Sequence, residues 1–339
     1  MTDPTAEELP LDPTRLIIDP HHHLWEILPA PGTMQVPQRF LLPDALETIG
    51  RSGHNITHTV FVECHAMYRQ DGPPELRPIG ETEFVNGIAA MSASGGYGPC
   101  RVAHRIVGTA NLCLGSRVAA VLEAHRAAAG ERFRGVRFMT AFSEAGMFGM
   151  PCDPNARHVM LDPQFRESAR VLAHMDLSLD IWCFHSQLSE VIDLASALPE
   201  LAIILDHLGT PESLGSYAGR EAEVRAEWAK SIAMLARHPN VLVKLGGLGM
   251  DISKSIGRET SSSPSETLAA KWRPYFETCI EAFTPQRCMF ESNFPPDNAA
   301  GSYGATWNAF KIIARDYSED EKDHLFRRTA ANAYRIALD

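Results

Sequence analysis

No stretch of the 339-residue chain is apolar over the roughly 18–20 residues that a bilayer-spanning helix needs. The opening residues MTDPTAEELPLDPT also lack the basic and apolar regions of a secretory leader, so the expectation is a cytoplasmic protein with no membrane partner. Positive charge is scarce: 31 Lys and Arg stand against 42 Asp and Glu, a formal net charge of −11, which argues against a nucleic-acid surface. Cysteine is sparse too. The 7 cysteines are odd in number, widely spaced and never paired as C-x-x-C, so they read as reduced core residues and exclude a disulfide scaffold. No glycine-rich phosphate turn follows the first apolar run, which weighs against a dinucleotide-binding sheet. These absences leave a small molecule as the expected partner and leave open a homo-oligomer.

What is present begins at Leu16–Glu26, LIIDPHHHLWE, where a branched apolar run ends in three histidines. On a strand, residues i and i+2 share a face, so His21 and His23 converge on one point while His22 turns away. Two imidazoles so placed suit a metal ion, or a carbonyl or anion polarised by two N–H groups. Further apolar runs follow: THTVFVEC to Cys64, RIVGTANL from Arg105, GVRFM from Gly135, LSLDIWCF to Phe184, LAIIL to Leu205, VLVKL to Leu245 and CMFE to Glu291. At least one helical stretch separates each from the next. The connections include a proline-rich loop reaching Arg39 and a Ser-rich loop at Ser261–Ser263, and the last helix is expected over Glu319–Ile336. Eight such strands call for a parallel sheet with right-handed crossovers, most economically a closed (β/α)₈ TIM barrel over residues 15–339 behind a flexible lead-in, 1–14. Reactive groups in that fold sit at the carboxyl ends of strands. His21, His23, Glu63, Arg137, His185, His207, Lys244, Glu291 and Asn293 all fall at or near such ends.

The segments IIDPHHHLW, WCFHSQL, ILDHLGTP and CMFESNFPPD together resemble the amidohydrolase superfamily, in its branch of lactonases and related metal-dependent TIM-barrel hydrolases. The resemblance covers essentially Leu16–Leu338. It implies a first-strand pair at His21 and His23, a fifth-strand histidine at His185, a sixth-strand histidine at His207, and an eighth-strand aspartate that Asn293 replaces. It also implies a hydrolase of a lactone or cyclic ester of a small acidic compound, with a non-oxidative decarboxylase as the alternative. Members use zinc or manganese, and some lactonases work without metal.

Ester hydrolysis needs an attacking water, a group that takes its proton, and positive or hydrogen-bonding groups for the developing oxyanion. His21, His23 and His185 are the candidate metal ligands, and His207 a candidate catalytic group that Asp206 could orient. Asn293 has no useful basicity. Glu291 is its natural substitute if the strand runs on, and Asp297 if the chain turns at Ser292. Arg137, alone in an apolar strand, is either a clamp for a substrate carboxylate or the partner of Glu63, Asp180 or Glu291. Lys244 is either a substrate contact or a partner of Asp206. Glu63 could restore the charge lost at Asn293, and His65, Tyr68 and Arg69 could line the pocket. A barrel that binds a metabolite without turnover is the remaining reading.

Overall fold

The computed structural model describes residues 8–28, 32, 34, 36–250 and 263–338. The proline-rich loop and the Ser-rich loop therefore fall partly outside the described residues, as does the first half of the lead-in.

The apolar runs become β1 (Leu16–His22), β2 (Asn55–Val62), β3 (Arg101–Gly108), β4 (Phe133–Met139), β5 (Ser178–Trp182), β6 (Ile203–Leu205), β7 (Val241–Leu245) and β8 (Cys288–Phe290). They pair in sequence order, every ladder parallel. After β8 the chain returns to β1 through a bridge between His22 and Phe294 and the bond His23 N–H to Phe294 O at 2.9 Å, which brings the sheet nearly to closure. Helices α1 (Leu42–Ser52), α2 (Ile79–Ala93), α3 (Val118–Ala129), α4 (Pro163–His174), α5 (Leu188–Ala197), α6 (Glu221–Leu235), α7 (Ser265–Phe283) and α8 (Tyr303–Ile313) cover the outside. Among the described residues no helix is long and apolar enough to cross a membrane.

Two packed layers follow from strand alternation. One apolar layer fills the space between strands and helices. A smaller one inside the barrel joins Ile18, Val60, Val62, Val107, Ile204 and Met289 to Tyr334. Tyr334 ends α10 (Thr329–Tyr334), the last part of a broken helix that begins with α9 (Glu319–Asp323), so the single closing helix expected from sequence is interrupted. The break is a π-turn at His324–Arg328, which lets the chain turn inward.

Departures from the expected strand limits have local causes. Strand β3 starts at Arg101 because Arg101 pairs with His58, and it stops at Gly108, where a Cβ would lie 2.9 Å from the ring of His125. Strand β8 stops at Phe290 because the next residues bond elsewhere: Ser292 N–H donates to Asp19 Oδ1 at 3.1 Å, and Asn293 takes a left-handed φ of 47°. Of the lead-in, residues 8–12 are docked, with Ser265 N–H on Glu8 Oε1 at 2.7 Å and Leu11 N–H on Asn308 Oδ1 at 2.7 Å.

Tyr334 Oη donates to the buried Asp180 Oδ2 at 2.6 Å, tying the last helix to the barrel interior. Tyr334→Phe removes one donor from a buried carboxylate and should cost about 1–3 kcal/mol of unfolding free energy in urea titration. A loss below about 0.3 kcal/mol would show that the contact does not hold the helix.

Candidate active site

The bulge in β1 aims the histidines. Four residues from Asp19 to His22 face three from Thr59 to Phe61, so the side-chain alternation slips by one. His21 and His23 then project into the barrel beyond Ile18, with ring centroids 4.9 Å apart. His22 turns outward, as expected, and meets Thr59 Oγ1 at 2.7 Å.

At the centre stands Glu291, fully buried. Its Oε1 lies 2.6 Å from His207 Nδ1 and accepts from His207 N–H at 3.1 Å, while its Oε2 lies 2.8 Å from His21 Nδ1. Burial alone would raise its pKa, but the two imidazoles more than offset that and hold the carboxyl down at about 2. Among the described residues, His21, His207 and Glu291 form the group of potential metal ligands, their donor atoms within 4.8 Å of one another. His21 is held neutral, well below the usual histidine range, by burial and then by the charge of Lys244.

Lys244 lies beneath this group. Its ammonium is 2.8 Å from Asp180 Oδ2, 2.9 Å from Asp206 Oδ1 and 3.2 Å from His21 Nδ1. Asp206 thus belongs to Lys244, with its Oδ1 3.6 Å from His21, rather than orienting His207. That orienting role falls to Glu291. Arg137 is likewise paired internally: Nε donates to Glu63 Oε1 at 2.8 Å and Nη2 to the Glu63 backbone carbonyl.

Around Asn293 runs a second chain of contacts. Its Oδ1 is 3.2 Å from His23 Nε2, and its Nδ2 donates to Asp297 Oδ1 at 2.7 Å. Asp297 also accepts from Gly249 N–H, and burial pushes its pKa up to about 7. So the chain turns, as one of the two sequence alternatives required, yet Glu291 still reaches the centre. His23 Nδ1 sits 2.8 Å from Val62 O and must carry the hydrogen, because a carbonyl only accepts. A neutral His23 therefore turns a lone pair toward Asn293 Oδ1, acceptor against acceptor, unless the amide is turned over.

A cavity of about 450 Å³ opens above this floor at the carboxyl ends of the strands. His23, His65, Arg137, His207 and Asn293 line it; Glu63, Lys244, Glu291 and Asp297 lie below or behind those residues. His185 is not among the lining residues or in the central group: its Nδ1 accepts from Glu212 N–H at 3.2 Å, its ring meets Tyr217, and its Nε2 has no partner. Tyr68 packs on His65, and Arg69 pairs with Glu83, away from the cavity.

Sequence reasoning passed over the Gly246-Gly247 pair after β7. A Cβ on Gly247, whose φ is +71°, would sit 2.2 Å from Cγ and Nδ1 of His207, and one on Gly246 would sit 2.3 Å from Glu291 O. A glycine pair directly after an apolar strand was the available signal. The methionines of the cavity wall gave none, because methionine at such positions reads as core.

A model of the amidohydrolase family matches residues 18–336. An uncharacterised protein of Sinorhizobium fredii is 31% identical over 333 residues, spanning 94% of this chain and 98% of its own. An L-fucono-1,5-lactonase of Burkholderia multivorans is 26% identical over 331 residues, spanning 95% and 96%. A solved amidohydrolase structure from Burkholderia multivorans, with bound zinc, aligns with a TM-score of 0.73 at 23% identity, covering 95% of this chain and 100% of that one.

Gly247→Ala should push the His207 ring off Glu291 and cost about 1–3 kcal/mol by crowding. Imidazole NMR of the wild type should show a strongly hydrogen-bonded Nδ1–H on His207 that disappears in the variant. An unchanged resonance would mean that the glycine does not set the ring position.

Proposed function

The chain belongs to the amidohydrolase family, and from that premise we propose that it hydrolyses a lactone or similar cyclic ester, with His207 as general base and Glu291 as the carboxylate that holds it. The observation that carries this reading is the 2.6 Å contact between His207 Nδ1 and Glu291 Oε1. An ionised carboxylate only accepts, so the hydrogen stands on Nδ1 and the lone pair on Nε2. His207 lines the cavity, so that lone pair is available to a water there.

His207 takes a proton from water as the water oxygen attacks the ester carbonyl, and Glu291 stabilises the imidazolium that forms. The same imidazolium then protonates the ring oxygen as the acyl C–O bond breaks. Arg137 places positive charge at the cavity wall, where a developing oxyanion or a substrate carboxylate would be stabilised. An acidic substrate would share that guanidinium with Glu63. His65, half exposed at the mouth, is a substrate contact in this reading. Glu63 acts through Arg137, and Lys244 acts through His21.

A divalent cation, zinc or manganese, fits the donor atoms of the floor. His21 Nε2 is buried without a partner, and the His23 lone pair opposes an amide oxygen. The carboxylates Asp180 and Asp206 flank the Lys244 ammonium, and Glu291 lies against His21. His21 and His23 would hold the ion, with Asn293 beside them. His185 would join only by leaving Glu212. Such an ion, when bound, polarises a carbonyl and lowers the pKa of water.

Turnover is measured on a panel of five- and six-membered lactones with a pH indicator, after loading with zinc or manganese. Glu291→Gln keeps the shape and removes the charge, so kcat should fall by roughly 10²–10⁴-fold with KM within a few-fold. Asp297→Asn should be milder. Retained turnover in Glu291→Gln with loss in Asp297→Asn would move the role to Asp297. Release of carbon dioxide from an aromatic acid, with no lactone opened, would replace the hydrolase reading by the decarboxylase.

A further inference from the structure

Five of the chain's 12 methionines, Met34, Met139, Met147, Met150 and Met250, line the cavity. Phe148 and Trp182 stand among them, their rings 6.2 Å apart. Methionine is flexible and polarisable, and its sulfur favours the edge of an aromatic ring, so this wall suits an irregular apolar or aromatic body. Part of it is built for the purpose. Met147 and Met150 are joined by a reciprocal pair of backbone bonds at 2.8 and 2.9 Å, which fixes the tight turn that carries Phe148.

Beyond His65 and the Nε2 lone pair of His207, most polar groups of the wall already have protein partners. Trp182 Nε1–H donates to Thr210 Oγ1 at 3.1 Å, and Trp25 Nε1–H donates to Pro37 O at 3.1 Å. Arg137 is held by Glu63, and the Asn293 amide nitrogen donates to Asp297. Asp153 accepts from Asn155 N–H. A ligand rich in hydroxyl groups would find few free partners here and would leave its own hydroxyls unpaired against thioethers and rings.

We propose that the occupant of this cavity is a cyclic ester carrying an aryl or alkyl body, and not a polyhydroxylated sugar lactone. The ester part of this statement rests on the hydrolase reading; the apolar body is read from the walls alone. The ester ring lies over His207, and the apolar body lies among the methionines and Phe148.

Lactams replace the ring oxygen by N–H and resist hydrolysis, so they test binding without turnover. Calorimetry compares δ-valerolactam, its phenyl-substituted form and a polyhydroxylated δ-lactam on the metal-loaded full chain. Each buried methylene equivalent is worth about fourfold in affinity. The phenyl lactam should therefore bind at least about 100-fold tighter than the parent, and the polyhydroxylated one no tighter than the parent. Met147→Gln and, separately, Met139→Gln should each cut the phenyl-to-parent ratio by about tenfold. Equal or tighter binding of the polyhydroxylated lactam overturns the proposal, as does preferred turnover of sugar lactones, which would leave the hydrolase reading standing. The phenyl preference in binding, with no lactone opened, supports the apolar body and sinks the hydrolase reading instead.

Discussion

The site depends on one buried carboxylate. Glu291 leaves the end of β8 with no solvent contact; its Oε1 pairs with His207 Nδ1 at 2.6 Å and its Oε2 lies 2.8 Å from His21 Nδ1. Burying an unpaired carboxylate costs several kcal/mol, so these contacts are conditions for the fold as well as for chemistry. They also couple the ends of strands β1, β6 and β8, of which β1 and β8 flank the place where the sheet comes nearly to closure. Beneath them Lys244 meets Asp180 and Asp206, and Tyr334 closes the group from below. A network of this kind adds little net stability over an apolar core of equal volume, but removing any single member leaves a charge stranded. Its effect is to fix where each imidazole nitrogen stands.

The backbone gives up stability in the same place. His65, His207, Leu208 and Asn293 all have positive φ, at 63°, 53°, 48° and 47°. For residues other than glycine, asparagine and aspartate this conformation costs on the order of 1–2 kcal/mol. It also ends a strand abruptly and turns the side chain inward, where a regular β continuation would carry it along the sheet. Gly246 and Gly247 complete the arrangement by leaving room where a Cβ would strike Glu291 or His207. The site is thus assembled from irregularities at strand ends: the bulge in β1, left-handed residues after β2, β6 and β8, and a glycine pair after β7.

The same irregularities mark the boundary of what sequence reading could reach. Apolar runs such as VLVKL and LAIIL identify their strands because burial on both faces leaves few polar positions, and the alternation with helical stretches then leads to the barrel. The i, i+2 argument also holds for His21 and His23, though for a reason it did not contain: Ile18 and His21 share the interior only because the bulge shifts the alternation. Partner choice was only partly legible: Glu63 stood among three candidates for Arg137, and Asp206 was named for Lys244 without Asp180. Arg137 and Lys244 are each flanked in space by carboxylates from strands far away in sequence, Glu63 in one case and Asp180 and Asp206 in the other, and periodicity carries no information on which pair will meet. The pairing of Glu291 with His207 spans 84 residues and follows from the sheet order, which sets the ends of β6 and β8 on either side of β7.

Asn293 shows how a neutral amide at the end of β8 shapes the charge of the floor. Its left-handed backbone suits asparagine or aspartate alike, so an amide can stand there without further strain. A carboxylate at that point would lie against Asp297, whose Oδ1 is 2.7 Å from the amide nitrogen, and two carboxylates at such a distance cannot both ionise. With the amide in place, Asp297 is donated one hydrogen from Asn293 and one from Gly249, and burial still raises its pKa to about 7. The fixed negative charge that faces the histidines is then Glu291, held ionised by two imidazoles. Glu291 thus stands against His207, while Asn293 and Asp297 lie to the side, next to His23.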